Sequence, residues 1–254
     1  MKIKINIVAA VMVLLFLSAA VSGALCAEDG RSTLMRAMRD KPQDPEDDRY
    51  LLEVAPCYYK YKTDKKDWLT AGLFFKATVT PEWEISVGGD LLSYQDPDFG
   101  LGDFYVGAKW TFYERNDFTM AVSGYVLFPT GHPALREPGI EPTLTLLLSR
   151  KLGDWEISAS FGSTYAADEQ GEPNYLDVEV SLGADYTVDE KNSFGIQAFG
   201  YGPDQRIDGL PRFSVGTSYT RTLTDHQSVG ILLTKGLSNR GMDWSGTLIY
   251  SYTF

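Results

Sequence analysis

The sequence predicts an all-β protein, a single antiparallel transmembrane β-barrel of about twelve strands. Three observations carry that prediction. Runs of alternating apolar and polar residues recur from Arg49 to Phe254, with no amphipathic helix of useful length between them. The connections between runs alternate between tight turns and longer loops. Aromatic residues gather where the runs meet the tight turns.

The N-terminus sets the compartment. Lys2 and Lys4 precede the apolar stretch IVAAVMVLLFLSAA, and VSGALCA follows with small residues, so residues 1–26 read as a secretory signal peptide. Cleavage can fall after Gly23, Cys26 or Ala27. Leu25 stands where a lipoprotein needs a small residue, so no lipid anchor is expected on Cys26. Residues 27–48 form a charged periplasmic segment in which STLMRAMRD can make two helical turns, capped by Ser32 and stopped before Pro42. It is either a loose tail or a partial plug of the barrel. Residues 49–254 are the barrel.

Removing the signal leaves Cys57 as the one cysteine certain to remain, so no intramolecular disulfide is expected. The formal charge of −11 falls to −13 once Lys2 and Lys4 are lost. Such an acidic chain is not expected to bind nucleic acid or an anionic phosphate partner.

The strands follow in order. Runs 49–62 and 67–79 are joined by the short upper loop TDKKD, and TPE turns the chain into 83–94. QDPDFG leads to 101–114, ERND to 118–129, and PTGHPALREPG to 140–151. LGD then gives 155–166, ADEQGEP gives 174–187, DEKN gives 193–202, and GPDQRIDGLP gives 211–223. TDHQ and NRG complete 227–238 and 242–254. The tight turns fall on one rim and most of the longer loops on the other, with both termini on the tight-turn rim.

Parity within the runs assigns the faces. Phe104, Val106, Ala108, Trp110 and Phe112 oppose Asp103, Tyr105, Gly107, Lys109 and Thr111. Leu176, Val178, Val180, Leu182 and Ala184 oppose Asp177, Glu179, Ser181, Gly183 and Asp185. Trp83, Phe118, Trp155 and Phe194 follow tight turns, and Trp110, Phe112, Tyr219 and Phe254 close runs at the same level. That is one ring at a membrane interface. A backbone in lipid must satisfy its polar groups internally, so the last run pairs with the first. Leu248, Tyr250, Tyr252 and Phe254 then face lipid, and Thr247, Ser251 and Thr253 face the lumen. Tyr250, Tyr252 and the terminal Phe254 resemble the signal read by the bacterial barrel-assembly machinery.

The lumen face collects Glu53, Lys76, Glu84, Asp90, Asp103, Lys109, Glu141, Glu156, Asp177, Glu179, Asp185, Arg212 and Asp243. Acids outnumber bases, which favours cations. Asp103, Lys109, Glu141, Asp177, Glu179, Asp185 and Arg212 are the selectivity candidates, with Lys109 and Arg212 as possible counter-ions to the acids. Tyr105, Tyr125 and Phe199 point inward and offer either stacking surfaces or filling for a narrow barrel. No catalytic residue is assigned. His132 lies in an upper loop and His226 in a lower turn, neither beside a plausible nucleophile; pairing of His132 with Asp168 or Glu169 has no motif behind it. No cofactor or metal is expected, because DPDFG and ADEQGE lack an ordered ligand pattern.

The stretch GLGDFYVGAKWTFYERNDFTMAVSGYVLFPTG, residues 100–131, resembles the outer-membrane family labelled "putative meta-pathway of phenol degradation". LLLSRKLGDWEISASFG, residues 146–162, and Phe254 extend the likeness. Gly102, Asp103, Gly107, Lys109, Pro129, Thr130 and Gly131 match its pattern and read first as structural. The resemblance implies transport of small, hydrophobic or aromatic solutes across the outer membrane, and a lumen of Ser, Thr, Gly, Tyr and acidic groups makes passive passage the expected mechanism. The alternative is a non-conducting structural or adhesive barrel with a plugged lumen.

Overall fold

A computed structural model describes residues 50–62, 67–167, 174–202, 212–239 and 242–254. The expected signal peptide, the 27–48 segment, and the acids Asp168 and Glu169 lie outside these residues. Twelve long strands match the twelve runs: β1 (Tyr50–Tyr61), β2 (Trp68–Thr80), β3 (Trp83–Gln95), β5 (Phe104–Arg115), β6 (Phe118–Phe128), β7 (Glu141–Leu152), β8 (Trp155–Ala166), β9 (Tyr175–Thr187), β10 (Asn192–Tyr201), β11 (Arg212–Thr224), β12 (Gln227–Gly236) and β13 (Met242–Thr253). A three-residue strand, β4 (Asp98–Gly100), pairs with β3 inside the first long upper loop. It displaces the start of β5 to Phe104, so Asp103 precedes the strand.

The sheet closes. β1 pairs antiparallel with β13 and β2 with β3, so every long strand has two neighbours. The backbones of Tyr50 and Phe254 exchange two hydrogen bonds of 3.0 Å at the lower end of this seam. Closure leaves no edge, the condition for strands in lipid.

The tight turns are built by local chemistry. Asn116 and Asp117 take positive φ (51° and 62°), matching the right-handed twist of the strands they connect. Thr80 Oγ1 accepts from the amides of Glu82 and Trp83. Asp189 accepts from the Lys191 and Asn192 amides and from the Asn192 side chain; the Lys191 amide leads in holding its carboxyl below the usual range.

The exterior is apolar. Leu144, Leu176, Ile196 and Leu248 are each about 60% exposed, which only a hydrocarbon surround makes favourable. The lower aromatic ring forms as expected: Trp83 stacks on Trp110 at 5.8 Å, Trp155 meets Tyr186 at 4.9 Å, and Phe194 meets Tyr219 at 4.9 Å. The Tyr219 hydroxyl donates to Asn192 Oδ1 (2.6 Å), anchoring the ring to a turn.

Two of the bulges bear on the lumen assignments. Between Ala71 and Gly72 the partner shifts from Leu92 to Asp90, so Leu91 is extra, and Leu91 and Leu92 both face outward. Between Lys60 and Tyr61 the partner shifts from Trp244 to Met242, leaving Asp243 extra. This corrects the lumen assignment of Asp243: Met242 turns inward, while Asp243 pairs with the exposed Lys235 at the upper rim. At the end of β12, a Cβ on Gly236 would overlap the Met242 carbonyl oxygen. Gly236→Ala is expected to cost about 1–3 kcal/mol, read as a lower urea midpoint; an unchanged midpoint would mean this hairpin yields freely.

Candidate functional site

Inward-facing residues give the lumen wall an aromatic cluster on one side and a run of hydroxyls on the other. On β1–β6, Phe74 lies 6.4 Å from Tyr105, and Tyr105 meets Tyr125 edge-on at 6.2 Å, with Leu51 in the same buried group. Tyr105 lies over Gly88, where a side chain would strike its ring and hydroxyl. Towards the upper rim, Cys57, Tyr59, Tyr61 and Met242 make a second buried cluster, and the Thr247 hydroxyl donates to Cys57 Sγ (2.9 Å). On β7–β11 a run of hydroxyls lies among charged and aromatic side chains. Thr143 bonds Thr164 and Ser160 bonds Ser181, each at 2.7 Å, and Thr145, Ser158, Ser214 and Ser218 face inward beside them.

The charged candidates do not form one cluster. Glu84 on β3 is 2% exposed and holds two lysines, Lys76 on β2 at 3.1 Å and Lys109 on β5. Lys109 is therefore a partner of Glu84 near the lower rim, which corrects its expected role as counter-ion to the β9 acids. Asp177 and Glu179 are buried at the upper end of β9, with Arg212 at the upper end of β11. Glu179 is paired across the ladder with Tyr201, which is itself paired with Arg212. Asp185 is six residues below Glu179, about 20 Å along the strand, and its carboxylate lies over Gly195. Glu141 is 1% exposed and accepts from the Ala167 amide (3.0 Å) where the β7–β8 pairing ends. Tyr105 and Tyr125 come together; Phe199 lies apart on β10, stacked on Tyr201 at 6.2 Å.

Asp103, a selectivity candidate that also read as structural, is engaged by a loop. It accepts hydrogen bonds from the Gly131 amide (2.9 Å) and the Glu137 amide (2.6 Å), while Thr130 Oγ1 accepts from the Phe104 amide (3.1 Å) and Leu101 O from the His132 amide (2.7 Å). The GLGD and PTG segments thus clamp the longest upper loop, residues 129–140, onto the strand beside it. A Cβ on Gly131 would sit 2.8 Å from the Gly102 carbonyl carbon, so this approach requires glycine. Burial leads in raising the Asp103 carboxyl above its ordinary value, partly offset by the two amides. His132 Nδ1 faces the Ala134 amide at 3.4 Å within the same loop.

Sequence reading named Lys76, Glu84 and Lys109 but not their union, nor the upper tyrosine cluster. Both depend on strand register, and the one available signal was shared inward parity.

A model of the family described as "Putative MetA-pathway of phenol degradation" matches residues 45–254. No curated protein matches the chain. Among solved structures, the COG4313 outer membrane channel from Pseudomonas putida F1 is similar with TM-score 0.67 and 14% identity, covering 85% of this chain and 98% of that one. The KdgM porin gives 0.57 and 8% identity over 80% and 99% of the two chains. The CymD monoaromatic hydrocarbon channel gives 0.52 and 9% over 90% and 94%. At these identities the likeness is one of fold.

Proposed function

The chain belongs to the family whose model spans residues 45–254, and from that premise we propose that it is a bacterial outer-membrane channel for passive passage of small hydrophobic or aromatic solutes. The observation that carries this reading is an aromatic cluster and a run of hydroxyls in one lumen. An aromatic flank of Phe74, Tyr105 and Tyr125 faces a flank of serine and threonine hydroxyls, so a largely apolar solute can slide on one while its polar groups and attendant water use the other. The names of similar folds, an outer membrane channel and a monoaromatic hydrocarbon channel, agree with it. In this reading residues 1–26 direct export, and Tyr250, Tyr252 and Phe254 present the last strand to the barrel-assembly machinery. Asp177 and Glu179 bias the upper lumen towards cations, and Phe199 offers a further stacking surface.

Depth of burial favours a second reading, a barrel closed at rest. Lys76, Glu84 and Lys109 at the lower end and Tyr59 at the upper are each 5% exposed or less. Conductance of the refolded chain in planar bilayers with a salt gradient separates the two. A channel gives steady cation-selective steps, and Asp177→Asn/Glu179→Gln moves the reversal potential towards zero. Silence that persists after deletion of residues 27–48 supports the closed barrel instead.

A further inference from the structure

The lipid-facing wall is not smooth. Two neighbouring rows of outward side chains run obliquely across β9–β13, each residue directly opposite the next. One is Leu182, Ala198, Val215, Lys235 and Trp244; the other is Ala184, Ile196, Thr217, Leu233 and Gly246. Small residues at Ala184 and Ala198 sink the floor between the larger ones, leaving an apolar groove of about 760 Å³. Five strands at about 4.8 Å spacing make it roughly 19 Å long, the scale of a fatty acyl chain.

Its upper end is cationic. Lys235 lines the groove beside Trp244, and Lys60 is the residue opposite Trp244 on β1. Both lysines are exposed and outward-facing at the penultimate position of their strands, the height at which a charge on the lipid face costs little because headgroups begin there. Lys62 stands above, donating to the carbonyls of Gly236 (2.7 Å) and Ser238 (2.6 Å), and both Lys60 and Lys62 act electrostatically on Asp243, the partner of Lys235. Tyr58, whose hydroxyl donates to Asp67 (2.5 Å), packs on Trp244 at 5.1 Å and walls the site. Three lysines against Asp243 and Asp67 make a local positive patch on a chain whose net charge is −11.

We propose that this groove is a binding site for a phosphate-bearing lipid of the outer leaflet, its headgroup phosphate bridging Lys60 and Lys235 and one acyl chain lying between the two rows. The net charge alone predicts no anionic partner; local placement reverses that expectation, since a membrane lipid meets the patch and not the whole chain. Charge complementarity at the headgroup end and an apolar groove open to the bilayer select the same ligand.

The test is native mass spectrometry of the refolded full chain in micelles, titrated with diphosphorylated lipid A and with its dephosphorylated form. Wild type is expected to retain one lipid A and to bind the dephosphorylated form at least tenfold less. Lys60→Gln/Lys235→Gln removes the headgroup contacts, and Ala198→Trp fills the groove without touching the lysines; each is expected to lower occupancy at least tenfold. Lys151→Gln, on the lower rim, is expected to leave it unchanged. Ala184→Phe replaces Ala198→Trp if the latter loses the heat-dependent gel shift of a folded barrel. No retention by wild type, equal binding of both lipids, or loss in only one of the two kinds of variant overturns the joint site.

Discussion

Replacing Glu84 with leucine is expected to cost the barrel about 3–5 kcal/mol, because it strips the shared counter-ion from two buried lysines. Lys76 and Lys109 are 3% and 5% exposed and converge on this one carboxylate from β2 and β5. With Glu84 gone, two ammonium groups are left close together where water reaches poorly, and the desolvation already incurred is no longer offset. The loss should appear as a lower urea midpoint in micelles, followed by tryptophan fluorescence. Lys76→Met/Glu84→Leu/Lys109→Met is expected to recover most of it, since a buried ionic group replaced whole by apolar side chains of similar volume is often neutral. A single variant within 1 kcal/mol of wild type would mean that water solvates the triad and that it does not seal the lower lumen.

The same triad marks where sequence reading reaches its limit. Period-two alternation assigned Glu84, Lys76 and Lys109 to the interior, because the face of a strand residue depends only on parity. Whether Lys109 meets Glu84 or an acid on β9 depends on which strands are neighbours and in what register; the Glu84–Lys109 pairing follows from β3 meeting β5 directly, with β4 folded onto the upper end of β3. Asp243 failed for a related reason. Simple alternation counts through Asp243, yet the bulge at Lys60 and Tyr61 makes that residue an insertion, and Met242 beyond it changes face. The rest of β13 lies below this bulge, so Leu248 and Tyr250 point to lipid and Thr247 and Thr253 inward, as alternation required. Asp103 was legible as a motif residue but not as a clamp, because its partners, Gly131 and Glu137, come from the far end of the next hairpin. Their backbone amides carry no side-chain signal.

Asp103→Ala is expected to release the 129–140 loop while leaving the barrel intact. It removes the acceptor of the Gly131 and Glu137 amides, and an orphaned donor costs about 1–3 kcal/mol, reduced where water can take the place of the half-buried carboxylate. Hydrogen exchange at those two amides should quicken by roughly 5–150-fold, while the amides of β9 and β10 stay protected. Asp103→Asn keeps an oxygen acceptor and is expected to hold the loop better than alanine does. The two differ from wild type in pH dependence as well. Burial raises the carboxyl of folded Asp103 above its unfolded value, against Arg136 and the two amides and together with the charge of Glu137. A raised folded pKa means that the folded state holds the proton more tightly. The stability contributed by this titration is therefore full below the ordinary carboxylate range and is lost as pH rises through the raised value. Wild type should gain on Asp103→Asn as pH falls through that window, with a constant difference above and below it. The opposite slope would mean that the two amides outweigh burial and that the clamp is strongest when Asp103 is ionised.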